Sequence, residues 1–258
     1  MIGLLYFVII LTTSVLGAVV GIGGGVFIRP IFDAIGAHDV VNIAFFASIA
    51  IIIMAAVSTA KKIRDGQKLN LKTAGIMALG AAIGGVLGDW LRQILLNVLY
   101  DENSFQNIQI IATVAVLLFA LFLSTKTNLR YEIKSPLLPP VFGVILGIIA
   151  AFLSIGGGVL NVPIFIILFG MPIKDATANS LIIVLVSQLA GLVSMLATQG
   201  LAPFELILVP FVVIAAAIGG LVGARLTKIF SENTVKRLFQ ATLVAVILLN
   251  VANALFIL

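Results

Sequence analysis

The sequence predicts an all-α, polytopic membrane protein of two inverted-topology repeats. Each repeat has about four helical segments and opens with a glycine-broken re-entrant hairpin. Three observations predict this. The 258 residues are 62% hydrophobic and 10% charged. A glycine-rich motif occurs twice at nearly constant offset, and basic residues are confined to certain loops.

The composition settles the solvent. Soluble domains are about 45–50% apolar and about 25% charged, and the mean hydropathy here is +1.27. A globule needs a polar surface that this chain cannot furnish, so lipid must surround most of it. The net charge is +5, but the basic residues sit in short loops, as the positive-inside rule expects, so nucleic-acid binding is not indicated. The chain has no cysteine, which excludes disulfides, thiolate metal sites and lipidated cysteines.

The apolar runs follow in order. Ile2–Val20 comes first; it has no basic residue ahead of Arg29 and reads as a retained membrane helix rather than a secretory signal. A glycine break leads into the short run Val26–Ile35. Next come Ile43–Ala60, Leu71–Val98, Ile108–Ser124 and Leu138–Leu153. A second glycine break precedes Val159–Phe169, and Ala178–Ala197, Phe204–Leu226 and Leu238–Leu258 complete the series. At about 1.5 Å per residue, the two short runs reach roughly half-way across a bilayer and are predicted to be half-helices.

The halves match in sequence. GGGVFIRP at Gly23–Pro30 corresponds to GGGVLNVP at Gly156–Pro163, an offset of 133; AIGGVLGDWL at Ala82–Leu91 corresponds to AIGGLVGARL at Ala217–Leu226, an offset of 135. Two matches in one order at one spacing mark an internal repeat, dividing the chain into repeats 1–130 and 131–258 of one membrane domain. Loops 61–70, 126–136 and 227–237 are basic and are predicted to be cytoplasmic. Asp101–Asn107 and Thr198–Glu205 lack basic residues and are predicted to lie outside. Equivalent loops thus fall on opposite sides, so each half crosses an odd number of times. Three spans plus a re-entrant hairpin meet that condition and put both termini outside; a first run that spans without returning would change the parity.

Broken helices in inverted repeats place substrate near mid-membrane, with half-helix N-termini facing anionic groups. Gly23, Gly24 and Gly25, with Gly156, Gly157 and Gly158, are therefore candidate binding residues through their backbone N–H groups. The bland alternative is tight packing or a hinge. Arg29, an intramembrane arginine, is a candidate oxyanion ligand; it would otherwise pair with Asp33 one turn on or reach for the interface. Asn161 would contact substrate or satisfy backbone. Asn179, Ser180 and Gln188 would line a path or bond between helices. Asp39 and Asp175 read as helix caps, His38 as solvated, and Trp90 as an interfacial anchor. Gly80, Gly84 and Gly88, like Gly219 and Gly223, form small-residue packing ridges. No catalytic set and no metal-ligand cluster is visible, and no cofactor is implied.

A glycine triplet before a proline in both halves, GIGGGVFIRP at Gly21–Pro30 and IGGGVLNVP at Ile155–Pro163, followed by DATANSL at Asp175–Leu181, resembles the TauE/SafE family, also called TSUP or the sulfite exporter family. The resemblance covers the whole chain. It implies a prokaryotic plasma-membrane transporter of sulfur-containing anions such as sulfite, thiosulfate or organosulfonates. The sequence departs from the plainest family pattern at Arg29, where an aliphatic residue is expected, and at Asn42–Phe46, which reads NIAFF where the second half has NSL. The expected function is alternating-access transport of a small anion, not enzymatic catalysis. A membrane scaffold or assembly subunit, or an anion channel, is the alternative. Homo-oligomerisation and a coupling proton or sodium ion stay open.

Overall fold

The computed structural model describes residues 2–257 apart from 68, 100–101, 127–130, 132–134, 136, 154–157 and 203. Ten α-helices run through the described residues: α1 Ile2–Val20, α2 Gly25–Ile35, α3 Val40–Arg64, α4 Leu71–Leu99, α5 Glu102–Thr125, α6 Leu138–Leu153, α7 Gly158–Phe169, α8 Ile173–Gln199, α9 Val209–Ile229 and α10 Glu232–Ile257. Seven of the described helices are long and apolar enough to cross a membrane. The protein is an all-α, multi-pass membrane protein.

Most predicted apolar runs lie within these helices, several of which extend past them into polar residues; the run predicted from Phe204 instead begins with a 3-10 turn, Leu206–Leu208, and α9 starts at Val209, whose next residue Pro210 suits a helix first turn. Helix α3 starts at Val40 rather than Ile43 because the Asp39 carboxylate accepts from the Asn42 N–H at 2.9 Å, an N-cap. It continues past Ala60 because Lys61, Lys62 and Arg64 suit a helix C-terminus. The Asn70 side chain accepts from the Thr73 N–H at 3.1 Å and starts α4; the Ser231 hydroxyl accepts from Thr234 at 3.1 Å and starts α10. Helix α2 stops at Gly36, whose φ of 64° is the left-handed cap that other residues resist.

Close approach is built on the small residues. A Cβ at Gly84 or Gly88 of α4 would strike the backbone of Val144 or Ile148 of α6, and one at Gly147 of α6 would strike Ala81 of α4. Along this contact rising numbers in α4 meet rising numbers in α6, so the two helices are parallel. Helices α1 and α9 pair likewise: a Cβ at Gly219 would lie 2.6 Å from Ser14 Cβ, and one at Gly223 2.6 Å from Ala18 Cβ. Helix α9 also packs on α3, and α4 on α8. Two apolar clusters form the interior: Met77, Phe165 and Phe239 belong to one, Tyr6, Phe32 and Phe46 to the other.

The molecule has two distinct ends. At the basic end Asp65, just past α3, pairs with Lys61 at 2.5 Å and faces Lys228 of α9 at 3.8 Å. The Lys174 ammonium at the start of α8 donates to the Lys228 carbonyl at 3.3 Å. At the far end His38, before α3, bonds to Glu205, before α9, at 3.1 Å. Helices α1, α3 and α9 therefore run from the far end toward the basic end; α4, α6 and α8 run the other way.

Candidate functional site

The two short helices start at one place. Helix α1 ends in a turn whose Gly21 and Gly23 have φ of 76° and 77°, values open to glycine but strained for other residues. The Gly21 N–H closes onto the Gly17 carbonyl at 2.9 Å. The chain then reverses: a Cβ at Gly24 would lie 3.0 Å from the Thr13 carbonyl oxygen, so α2 returns alongside α1. Phe32 of α2 stacks on Tyr6 of α1, ring centroids 3.9 Å apart. Helix α2 thus runs from the turn toward the far end, while α7 ends beside the start of α8 at the basic end.

Gly158, the first residue of α7, lies against the first turn. A Cβ there would stand 2.5 Å from Ile22 Cα and carbonyl carbon. The two helices have 11 and 12 residues, lengths of about 16 and 18 Å. Placed tip to tip, they span about the thickness of a hydrocarbon core. Their N-termini, where the first N–H groups lack intrahelical acceptors, converge on this junction.

The sequence-derived candidates divide around it. Gly23, Gly24, Gly25 and Gly158 are buried at the junction; Gly156 and Gly157 lie outside the described residues. The Ser180 hydroxyl, fully buried, donates to the Gly21 carbonyl at 2.6 Å and holds the turn against α8. Asn179 is occupied by the fold: its amide nitrogen donates to the Asp175 carbonyl at 2.8 Å and its oxygen accepts from the Asn70 N–H at 2.9 Å. Gln188 is half-buried eight residues beyond Ser180 on α8, about 12 Å along the axis. Arg29 lies against Asp33 at 3.8 Å, one turn along α2. Asn161 is the opposite of Asn179. It is 0% exposed, one turn into α7, and neither its amide nitrogen nor its oxygen has a hydrogen-bond partner among the described residues.

Two groups of residues were not among the sequence candidates. Lys62, read as part of a cytoplasmic basic loop, turns inward and is 1% exposed; its ammonium donates to the Ala18 carbonyl at 2.9 Å. Ser14, one turn before Ala18 on α1, and Ser58 and Thr59, one turn before Lys62 on α3, are buried with hydroxyls without partners among the described residues. Their signal was present: Ser58, Thr59 and Lys62 share one face at helical spacing. The second group is at the far end. His38 is not solvated as expected; its side chain is 5% exposed, accepting or donating at 2.6 Å with the Tyr6 hydroxyl and at 3.1 Å with Glu205. A buried tyrosine hydroxyl needs a partner, and His38 is the one in reach.

Among the described residues no cluster of three or more His, Asp or Glu side chains is placed to hold a metal ion.

No solved structure matches the chain. In sequence it is similar to the probable membrane transporter protein YunE of Bacillus subtilis, 23% identical over 265 residues that cover 92% of each chain. It is also similar, over shorter stretches, to the probable membrane transporter protein MamO. The match is 29% over 122 residues in Magnetospirillum gryphiswaldense and 31% over 117 in Paramagnetospirillum magneticum, about 44% and 42% of this chain and 19% and 18% of those proteins. The family model for the sulfite exporter TauE/SafE matches residues 6–249. That match takes in both short helices and the junction between them, and the chain is a membrane transporter belonging to the TauE/SafE sulfite exporter family.

Proposed function

We propose that the protein carries a small anion, a sulfur-containing oxyanion or an organosulfonate, across a prokaryotic plasma membrane by alternating access, with the substrate held at the junction of α2 and α7. The observation that carries this reading is Asn161: a fully buried amide with both polar atoms unpartnered among the described residues, beside a helix N-terminus. Leaving a buried polar group unbonded costs about 1–3 kcal/mol, so the site favours a guest that restores those bonds. The converging N-termini carry partial positive charge, which selects an anion. Oxyanion acceptors would suit the amide nitrogen and the N–H groups of Gly24 and Gly25 together.

The inverted repeat gives the motion. Helix α1 pairs with α9 and its sequence equivalent α6 pairs with α4; the equivalents α4 and α9 run in opposite directions. A molecule that exchanged the conformations of its halves would present the junction first to one side and then to the other. By the positive-inside rule the basic end is cytoplasmic and both termini lie outside. Arg29 is then a neighbour of the entry path on α2 rather than the main ligand, since Asp33 already faces it.

The test is counterflow into proteoliposomes preloaded with sulfite, thiosulfate or sulfoacetate, with acetate as the control. Uptake of label driven by one of the sulfur anions and not by acetate is the expected result. Absence of exchange with every anion, from folded protein, contradicts the reading.

A further inference from the structure

The seam of α1, α3 and α9 holds buried polar groups without partners among the described residues. Lys62, in the last turn of α3, donates to the Ala18 carbonyl and faces no carboxylate within ion-pair distance among the described residues. An ammonium has three donors, and this bond uses one. Ser58 and Thr59 lie one turn before Lys62, and Ser14 lies one turn before Ala18, so these hydroxyls stand on the helix faces that Lys62 joins. All are buried without partners among the described residues. Helix α9 closes the seam with glycine: a Cβ at Gly219 would lie 2.6 Å from Ser14 Cβ, and one at Gly220 2.8 Å from the Met54 carbonyl oxygen, one turn before Ser58.

The seam adjoins the junction. Ala18 stands three residues before Gly21, whose carbonyl Ser180 holds. Capping the end of α1 explains one bond of Lys62. It explains neither the remaining donors nor the hydroxyls. A cation taken out of water without a counter-charge is strongly unfavourable, and an exchangeable anion would remove that penalty.

We propose that Lys62, with Ser58, Thr59 and Ser14, forms the cation-bearing wall of an oxyanion site continuous with the α2–α7 junction. This builds on the anion-transport reading and adds to it the residue that carries the counter-charge. Two helix N-termini contribute about half a charge each, and the ammonium raises the local total to about +2. That charge matches a doubly charged oxyanion better than a singly charged one.

The experiment is calorimetric titration of the purified full-length protein with thiosulfate and with methanesulfonate, alongside the melting temperature without ligand. Wild type is expected to bind thiosulfate more tightly. Lys62→Met should weaken thiosulfate about ten- to a hundredfold, the size of a lost charged hydrogen bond, and should erase the preference over methanesulfonate. The double variant Ser58→Ala with Thr59→Val should weaken thiosulfate several-fold while keeping the wild-type melting temperature or exceeding it. If Lys62→Met melts lower yet binds both anions as wild type does, Lys62 is only a helix cap and the proposal falls. If Lys62→Met does not fold, unchanged affinity in the double variant overturns it. If wild type binds neither anion, the anion-transport reading itself fails and the seam assignment with it.

Discussion

The two ends of α1 meet their neighbours in opposite ways. Near its start, Tyr6, His38 and Glu205 come from three parts of the chain and complete one another's hydrogen bonds at 2.6 and 3.1 Å, with Phe32 stacked on Tyr6 and Phe46 meeting it edge-on. Near its end, Ser14, Ser58 and Thr59 are buried with hydroxyls that have no partner among the described residues, and Lys62 makes one bond there. Asn161 across the junction repeats that incompleteness. A fold that is free to satisfy its buried polar groups does so. The first region is therefore a clasp that holds the protein together, and the second is, on the proposed reading, where an exchangeable partner binds.

The largest effect is expected from filling the junction. Gly158→Val would push a side chain into the Ile22 backbone, already 2.5 Å from a Cβ; it should abolish transport in the counterflow assay while the protein still reaches the membrane. Retained transport would show that the tips need not meet. Next is Asn161→Leu. It removes an unsatisfied buried amide, so stability should rise by about 1 kcal/mol while anion affinity falls about tenfold or more, read by melting temperature and calorimetry on one sample. A loss of stability would mean the amide is already partnered, and the contrast with the clasp would vanish.

The clasp should behave in the opposite sense. Tyr6→Phe keeps the stack on Phe32 and deletes the hydroxyl that bonds to His38. It should lower stability by about 1 kcal/mol and leave the anion dissociation constant unchanged. The smallest effect concerns acid. The Asn42 backbone N–H on Asp39, with its side-chain amide, holds that carboxyl below the usual range. The Lys61 hydrogen bond does the same for Asp65. Groups whose folded value is depressed stabilise above their unfolded value, near pH 4, and lose that stabilisation as pH falls through the folded one. Melting temperature should therefore drop on acidification below about pH 4. Asp39→Asn, which retains a capping side chain, should make the drop shallower.

Much of this architecture was legible because it is written in backbone chemistry. The helix spans are runs of apolar residues, and the half-length of α2 and α7 follows from glycine triplets that interrupt them. The ridges at Gly84, Gly88, Gly219 and Gly223 were readable because close approach demands a missing side chain. Side-chain roles were harder. Asn179 and Asn161 are the same residue type on neighbouring helices, and only three-dimensional placement tells that Asn70 and Asp175 occupy one while no described residue bonds to the other. Lys62 was hidden by its company: within KKIR at the end of an apolar run it resembles any cytoplasmic anchor, and only the direction of its side chain separates it from Lys61. Arg29 pairs with Asp33 four residues on at 3.8 Å, one of the outcomes its spacing allowed. Gly156 and Gly157 lie outside the described residues, so the second tip is known from Gly158 onward.

On the proposed reading the junction of α2 and α7 binds an anion through groups that have no partner among the described residues. The most direct test is thermal-shift measurement of purified wild type and Asn161→Leu against sulfite, thiosulfate, sulfate and taurine, with carboxylates as controls. A ligand at about 100 times its dissociation constant stabilises by roughly 2.7 kcal/mol. The expected result is a selective shift with a sulfur oxyanion in wild type, and in Asn161→Leu a higher starting melting temperature with that shift lost. No shift in wild type with any anion, or an equal shift in both proteins, would contradict it.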